Sequence, residues 1–584
     1  MTAPDHLAVQ LASARQAVAN GADLGNALLT LSKVTSIDPS NSDSYSLMSA
    51  AATLLRSGEL GAWCAQRATT LNPYDAAAWT NQALHQPTAQ KIDCLQRAIA
   101  ITPADTNALF HLANTNNPDQ EQLYRRVLQI DPSDLEAHLN HATLKIKRRP
   151  SEALIGLQRA GCIAPGHHLV LNNLSALALD LQDVDTALQS AKRSLCIDPR
   201  QPTGWVNMGA ALKLLDKPRD AIGALHRCLT LDPSDLRGWT NLAALHETED
   251  DPKPSAIGYE RAISIAPEET TPRFNLGLLK LRHRRLKESW PLYELRQKSL
   301  AARELETRLS NIQQLKALDE AQPGQHVLLV KEQGLGDMIQ FVRFYRQLQA
   351  HGLTVTLMVP TPLRRLLTQL PVSVVTDIDT KAEHPYDFWC CIPSLPAVCN
   401  IDIKDIDGRA YLSTASADSW RKHWSDSTHP VIGMAWRGSA GAQRNPRQID
   451  LQELLQGIPR NSRITPLHHD LSAQEKLILA GDCRVLQALT PDTDLADAAD
   501  LIHACDVIVS IDTALAHLSG ALGKRTWLLL PKSADWRWMR GDDSPWYQSL
   551  RLFRQKQSAN WSDVLAQVRE EFAKTFPRGS SQAH

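Results

Sequence analysis

Ile197-Asp198-Pro199, followed by Trp205-Val206-Asn207-Met208-Gly209-Ala210-Ala211-Leu212, is the stretch that decides how the N-terminal half of this chain folds. Its opening phrase, an apolar residue, a small or polar one and proline, is written eight times. The other copies are Ile37-Asp38-Pro39, Leu71-Asn72-Pro73, Ile101-Thr102-Pro103, Ile130-Asp131-Pro132, Ile163-Ala164-Pro165, Leu231-Asp232-Pro233 and Ile265-Ala266-Pro267. Successive prolines lie 34, 30, 29, 33, 34, 34 and 34 residues apart, a period that fits one helical hairpin per repeat. Proline lacks an N–H and clashes with the preceding turn, so each phrase stops one helix and the residues beyond it start the next. Trp239-Thr240-Asn241-Leu242-Ala243-Ala244-Leu245 reads as another first helix, and Asp220-Ala221-Ile222-Gly223-Ala224-Leu225 and Ala256-Ile257-Gly258-Tyr259-Glu260 as second helices. Small residues at fixed positions let paired helices approach, and larger apolar ones fill the seams. Such a stack offers an extended concave surface and rarely does chemistry itself.

The repeats resemble the tetratricopeptide repeat over about residues 20 to 295. That likeness is specific for fold and only weakly so for ligand. Two short spacings place hairpins that have lost about a turn near Gln86-Pro87 and Asn116-Asn117-Pro118. Asn81, Asn107, Asn140, Asn172, Asn207, Asn241 and Asn275 recur on the first helices. They either grip an extended peptide backbone with one donor and one acceptor each, or bridge neighbouring hairpins or face solvent. The last repeat runs into Ser289-Trp290-Pro291-Leu292-Tyr293-Glu294-Leu295-Arg296. This is similar to the Gly-Trp-x-x-Tyr-Glu-x-Arg phrase of bacterial proteins that join such repeats to a glycosyltransferase-like domain, with Ser289 in place of glycine.

At 584 residues the chain exceeds one core and should divide. Lys and Arg number 62 against 63 Asp and Glu, a net charge of −1 that gives no reason to expect a nucleic-acid partner. Apolar runs are strand-sized, far short of the roughly 20 residues that span a bilayer. Met1-Thr2-Ala3-Pro4-Asp5-His6 lacks the basic start and apolar block of a signal peptide, so a cytoplasmic location is expected. Among ten cysteines none has Cys-x-x-Cys spacing; Cys162 and Cys196, three residues before repeat prolines, read as reduced core thiols. Cys390 and Cys391 point to opposite faces of a strand, which disfavours a metal site with Cys399.

From Gln325 the period becomes strand-like. His326–Val330, Val355–Val359, Val372–Val375 and Phe388–Cys391 read as buried strands of a first parallel sheet, and Val431–Ala435, Val507–Ile511 and Thr526–Leu530 begin a second. Ligands in such sheets lie beyond the carboxyl ends of the strands, where three loops stand out. The first is Gln333-Gly334-Leu335-Gly336-Asp337; Ile339 at the third glycine position and the lack of Gly-Lys-Ser/Thr exclude dinucleotide and phosphate-loop fingerprints. By spacing alone Asp337 is a helix cap or a functional carboxylate. The second is Trp436-Arg437-Gly438-Ser439-Ala440-Gly441 with Arg444 and Arg447, whose guanidinium groups suit a diphosphate or simply face solvent. In the third, Asp512-Thr513-Ala514-Leu515-Ala516-His517-Leu518-Ser519-Gly520, a strand end leads into a helix whose first N–H groups form an anion site, with His517 one turn on. His517 taken alone is more often a packing residue.

Gly-Leu-Gly-Asp337, Arg447 before Ile449, the Asp512–Gly523 run and Pro531-Lys532-Ser533-Ala534-Asp535-Trp536-Arg537-Trp538 together resemble the GT-B glycosyltransferases related to bacterial heptosyltransferases, over about residues 324 to 570. The layout is similar to the O-linked N-acetylglucosamine transferases. The resemblance implies an α-helical tetratricopeptide solenoid followed by an α/β GT-B domain of two Rossmann-like units. Its divisions would be a solenoid over 1–296, a helical connector over 297–323, an acceptor-side unit over 324–428, a nucleotide-sugar-side unit with a final helix over 429–572, and a tail over 573–584. It implies inverting transfer from a nucleoside-diphosphate sugar as substrate, with no cofactor and no metal, to a protein or peptide acceptor held in the repeat groove. Asp337 matches the general base. Gly334, Gly336, Trp436, Arg437, Arg447, Asp512, Thr513, His517, Trp536 and Arg537 would form the donor site, the cations opposing charge on the departing diphosphate. The helix from Trp561 to Phe572 is expected to cross back to the first unit, as is common in GT-B folds. Arg447-Gln448-Ile449, where relatives usually have Lys, leaves the donor open, and Thr465-Pro466-Leu467-His468-His469-Asp470 replaces a usual Ser-Leu-Gln phrase. Two other readings remain: an adaptor whose GT-B domain binds a nucleotide sugar without chemistry, and a transferase acting on lipid-linked or polysaccharide acceptors.

Overall fold

All eight proline phrases end a helix on their apolar residue: Ile37, Leu71, Ile101, Ile130, Ile163, Ile197, Leu231 and Ile265 are each the last residue of one. The residue before proline is pushed out of the helical region, so the helix has nowhere to continue. Where the phrase continues Pro-x-Asp, the aspartate starts the next helix. Asp75, Asp105, Asp134 and Asp235 each accept a hydrogen bond from a first-turn N–H, a contribution of about 1 kcal/mol apiece. A second clamp recurs six residues beyond the proline. The indole N–H groups of Trp79, Trp205 and Trp239 donate to the carbonyls of Pro73, Pro199 and Pro233 at 2.8 to 2.9 Å. His138 takes the same slot against Pro132 at 3.0 Å.

The computed structural model describes residues 3–577 apart from 116, 147, 299, 378–385, 415–419, 421–423, 425–428, 439–446, 487–488, 491 and 558–559. Asn116, Ser439, Ala440, Gly441, Arg444 and most of the expected tail therefore lie outside the described residues. The chain divides into two compact units, Met1–Asp232 and Pro233–His584.

The first unit is a solenoid of antiparallel helical hairpins from Ala3–Ala19 to Pro218–Leu231. Helices Ala76–Ala83 and Thr106–Ala113 have 8 residues where Ser42–Leu54 and Pro202–Leu214 have 13, so the short spacings mark shortened first helices. Two of the recurring asparagines are inter-hairpin bridges: the Asn81 amide donates to Ser46 O and the buried Asn207 amide to Asn172 O, both at 3.0 Å. Asn172 itself bonds Gln201 within the stack. These amides bond within the stack. Cys162 and Cys196 are exposed, a correction to the core reading. On the helix carrying Cys162, the buried stripe is Ala153, Leu157 and Ala160, and Cys162 lies about 200° around from Ala160.

The second unit opens with two more hairpins, Leu236–Thr248 with Pro252–Ile265 and Thr270–Arg282 with Leu286–Tyr293. Its boundary thus lies upstream of residue 296. The reason is bonding: the Trp290 indole donates to Ile401 O at 2.7 Å, Arg282 donates to Ala534 O at 2.8 Å, and Lys532 pairs with Glu249. The expected connector is only partly helical, because Gln313–Gln314 forms a strand.

Strands β1 (Gln313–Gln314), β2 (His326–Val330), β3 (Thr354–Met358), β4 (Ser373–Val375) and β5 (Phe388–Cys391) form a parallel sheet in the order β1-β5-β2-β3-β4. β6 (Val431–Ala435), β7 (Arg463–Pro466), β8 (Val507–Ile511), β9 (Thr526–Leu530) and β10 (Leu550–Arg554) form a second, β10-β9-β8-β6-β7, also parallel. Val327 to Val330 and Leu528 to Leu530 are fully buried, as expected for parallel strands covered on both faces. The strand order reverses between β2 and β5 in the first sheet and between β6 and β8 in the second. Those switch points are where doubly wound sheets hold ligands.

The final helix, Ser562–Thr575, does not cross to the first sheet. Leu565, Val568 and Phe572 pack with Trp527 and Phe553 in the second sheet's core. Gly457 leaves the space that Leu565 fills.

Candidate active site

The loop after β2 delivers Asp337. Helix Leu335–Val342 starts directly behind Gly334, and the Asp337 carboxylate accepts the Gly334 N–H at 3.0 Å. It caps its own helix and also pairs with Arg537 from the second sheet's side. Gly336 lies where two helices meet. A Cβ there would stand 2.9 Å from His517 Cδ2 and 3.4 Å from Ala514 Cα, so glycine lets helix Leu335–Val342 touch helix Ala514–Ala521 of the facing sheet. At Gly334 an added Cβ would meet only the Asp337 carboxylate, at 3.3 Å.

The second sheet contributes charged groups from three loops. Asp512 follows β8, Arg447 follows β6, and Asp535 and Arg537 follow β9. Arg447 lies 2.9 Å from Asp512 and 3.4 Å from Asp535; Arg537 lies 2.8 Å from Asp535 and donates to Gln333 at 2.9 Å. Asp337, Arg537, Asp535, Arg447 and Asp512 therefore form an alternating row. Burial disfavours the charge on Arg537, but Asp535 and Asp337 outweigh it and hold the guanidinium protonated. Burial raises Asp512, with Asp535 adding to the rise and Arg447 opposing it. Burial would also raise Asp535, yet the Arg537 charge and N–H bring it below the ordinary carboxylate value. Arg447 is the row's most open member, its side chain 40% exposed against 8% for Asp512. Thr513 stands at the N-cap of helix Ala514–Ala521, but its side chain accepts nothing from the first turn.

Other expected donor residues sit deeper. His517 is buried, 3.0 Å through Nδ1 from the Tyr547 hydroxyl and stacked on Trp538 with centroids 4.8 Å apart. Burial first, then Arg537, lower its pKa to about 3. Trp536 is buried between Trp290, Tyr293 and Phe341. The geometry of both is that of packing residues behind the row, and neither presents an open face to a donor. Arg437 is committed to two carboxylates, Glu475 at 2.7 Å and Asp470 at 3.1 Å, and the Trp436 indole also donates to Glu475. Burial would raise Glu475, but these bonds and those from Ser472 bring it to about 2. His468 accepts the Trp436 N–H, and burial lowers it to about 4. Among the described residues no three His, Cys, Asp or Glu side chains converge as metal ligands. Gln333, Tyr293 and Asp535 belong to the site without having been singled out. Each stands in a phrase quoted for its neighbours: Gln333 opens the loop that ends at Asp337, Tyr293 lies three residues beyond Trp290, and Asp535 precedes Trp536-Arg537.

Residues 468–561 match glycosyltransferase family 9 (heptosyltransferase). Among curated proteins, protein FlbA of Caulobacter vibrioides is 22% identical over 278 residues, 42% of this chain and 46% of that protein. The chain thus spans about half the length of the curated relative it matches. Among solved structures, the Cut9–Hcn1 hetero-tetramer of the APC/C is 19% identical over 44% of this chain and 52% of that one, with a TM-score of 0.36. The type IV pilus biogenesis factor PilW is 16% identical over 34% and 98%, with a TM-score of 0.31. Among the described residues no helix is long and apolar enough to cross a membrane.

Proposed function

We propose that this chain, a tetratricopeptide-type solenoid joined to a domain of the glycosyltransferase family 9 type, is an inverting glycosyltransferase acting in the cytoplasm on a protein or peptide acceptor. The donor is a nucleoside-diphosphate sugar. The observation that carries this reading is the alternating row Asp337–Arg537–Asp535–Arg447–Asp512, built from loops that follow β2, β6, β8 and β9 of two parallel sheets. In the proposed step the Asp337 carboxylate takes the acceptor hydroxyl's proton as that oxygen bonds to the anomeric carbon. The bond from that carbon to the diphosphate oxygen breaks on the opposite face, and its electron pair leaves with the diphosphate. One displacement inverts the centre. Arg447 and the N–H groups at Thr513-Ala514 oppose the charge that develops. Asp337 is paired with Arg537, so a diphosphate that draws this guanidinium away also frees the base. In the repeats, a cleft of about 810 Å³ lined by Arg125, His138, His141, Lys145 and Arg159 supports a role in holding the acceptor.

One observation favours a second reading, an adaptor with a silent domain: Arg437 and Arg537 are already neutralised by carboxylates. Incubation of the purified protein with UDP-, ADP- and GDP-sugars, following nucleotide release, separates the two. Asp337→Asn is expected to lose transfer by a factor of about 10² to 10⁴ while keeping or raising donor affinity, since Arg537 loses a competing carboxylate, and Arg447→Ala to weaken donor binding. Wild-type turnover in the Asn variant sinks the base assignment.

A further inference from the structure

The last repeat hairpin ends inside the α/β half. Helix Leu286–Tyr293 passes into a 3₁₀ turn, Glu294–Lys298, and two side chains from this one bend reach the residues just before Gly334. The buried Tyr293 hydroxyl donates to Gln333 Oε1 at 3.2 Å, and the same oxygen accepts from Arg537 at 2.9 Å. Arg296, its side chain 5% exposed, donates to Glu332 at 3.0 Å. Its guanidinium lies 4.5 Å above the Tyr293 ring. Arg296 also donates to Ser394, directly beyond β5 on the other side of the switch point, and Ser394 donates to Glu294 at 2.8 Å. Trp290 and Tyr293 pack edge-on against Trp536, the neighbour of Arg537.

Glu332 and Gln333 are thus held from the repeat side, and Gln333 is shared with the guanidinium that pairs with Asp337. We infer that Tyr293 and Arg296 are positioning residues: the terminal hairpin fixes the carboxylate loop and orients Arg537 against it. A hairpin whose only task was stacking would have no need of buried polar side chains aimed at Glu332 and Gln333. Low-dielectric networks of this kind specify one geometry, because each bond in them is costly to lose. The catalytic half of the inference rests on the reading of Asp337 as base; the structural half does not.

The test uses the full-length chain with Tyr293→Phe, which keeps the ring, Arg296→Lys, which keeps the charge but loses the fork, and Gln333→Met, which removes the shared acceptor from the other side. Deuterium uptake of peptides covering residues 331–342 is expected to rise about tenfold in rate in each variant, the scale of one lost hydrogen bond, with the second sheet's strands unchanged. Donor turnover should fall about tenfold with KM within a factor of two, and Tyr293→Phe combined with Gln333→Met should be no worse than Gln333→Met alone. Unchanged uptake over 331–342, or a rise spread evenly over the whole α/β half, overturns the inference. If the wild-type chain releases no nucleotide from any sugar donor, the glycosyltransferase reading fails, and the exchange data still decide this one.

Discussion

His517 provides a test of how tightly the two sheets close, through the pH dependence of stability. Buried against Tyr547 and Trp538, it titrates near 3 instead of its ordinary 6.5. The folded state therefore holds it neutral where the unfolded chain holds it protonated. Between those values the unfolded state binds more protons, so stability falls as the pH falls through 6.5 toward 3. The slope is about 1.4 kcal/mol per pH unit for this one group, and by pH 4.5 the loss is about 3 kcal/mol. Glu475, at about 2 against an ordinary 4.5, begins to destabilise on acidification at about pH 5.5 and does so chiefly below 4.5, and it contributes equally to wild type and His517→Gln. Urea midpoints of the α/β half, followed by tryptophan fluorescence across that window, give the slope for wild type and His517→Gln. The variant starts less stable at pH 7.5 because packing is lost, yet its slope should be shallower by about 1.4 kcal/mol per unit. An identical slope in the two proteins refutes the burial argument, since a uniform loss of packing shifts the line without tilting it.

Three further outcomes follow from particular contacts. Gly336→Ala forces a methyl to within 2.9 Å of His517, and overpacking of this kind should cost about 1–3 kcal/mol in thermal unfolding. Asn207→Ala removes a second donor from the Asn172 carbonyl, which keeps its helical N–H, and should cost about 0.5–1.5 kcal/mol of repeat stability; Asn140→Ala, whose 3.3 Å bond to Asn114 is exposed, should stay within about 0.5 kcal/mol. Native-state thiol titration should find Cys162, Cys196 and Cys483 fast, while Cys390 and Cys391, pushed well up by burial, react only in denaturant.

The helix ends, six central strands and the edge strand Ser373–Val375 were legible because each is a local signal. Proline after an apolar residue blocks a helix wherever it falls, and a parallel strand covered on both faces must be apolar throughout, as Val507–Ile511 is. The strands that escaped notice lie at sheet edges. Gln313–Gln314 is two polar residues long, Arg463–Pro466 carries a proline that only an edge tolerates, and Leu550–Arg554 is broken by two arginines, of which Arg551 is exposed. Cys162 misled because distance from a proline fixes the end of a helix but not which side of it faces inward. In the site, Asp337, Arg447, Asp512 and Arg537 stood in loops at strand ends, where chain topology brings them together. Tyr293 and Gln333 meet across 40 residues, and nothing in either local pattern records that distance.

The alternating row bears on how a donor would be recognised. Three carboxylates face two guanidinium groups, and the net charge of the whole chain is −1, so no strong positive field draws an anion in from a distance. On the proposed reading, recognition is an exchange of partners at contact: a diphosphate replaces carboxylates as the acceptor for Arg447 and Arg537, and what it gains is the difference between two paired states. Planar guanidinium forks suit that exchange, since they bind carboxylate and phosphate oxygens with the same geometry. The carboxylates released are Asp337, which the reaction needs unpaired, and Asp512, whose raised affinity for a proton lets it leave its cation at small cost. A bare nucleoside, bringing no charge to trade, would leave Asp337 locked to Arg537. Occupation of the site by a complete donor and release of the base would then be one event.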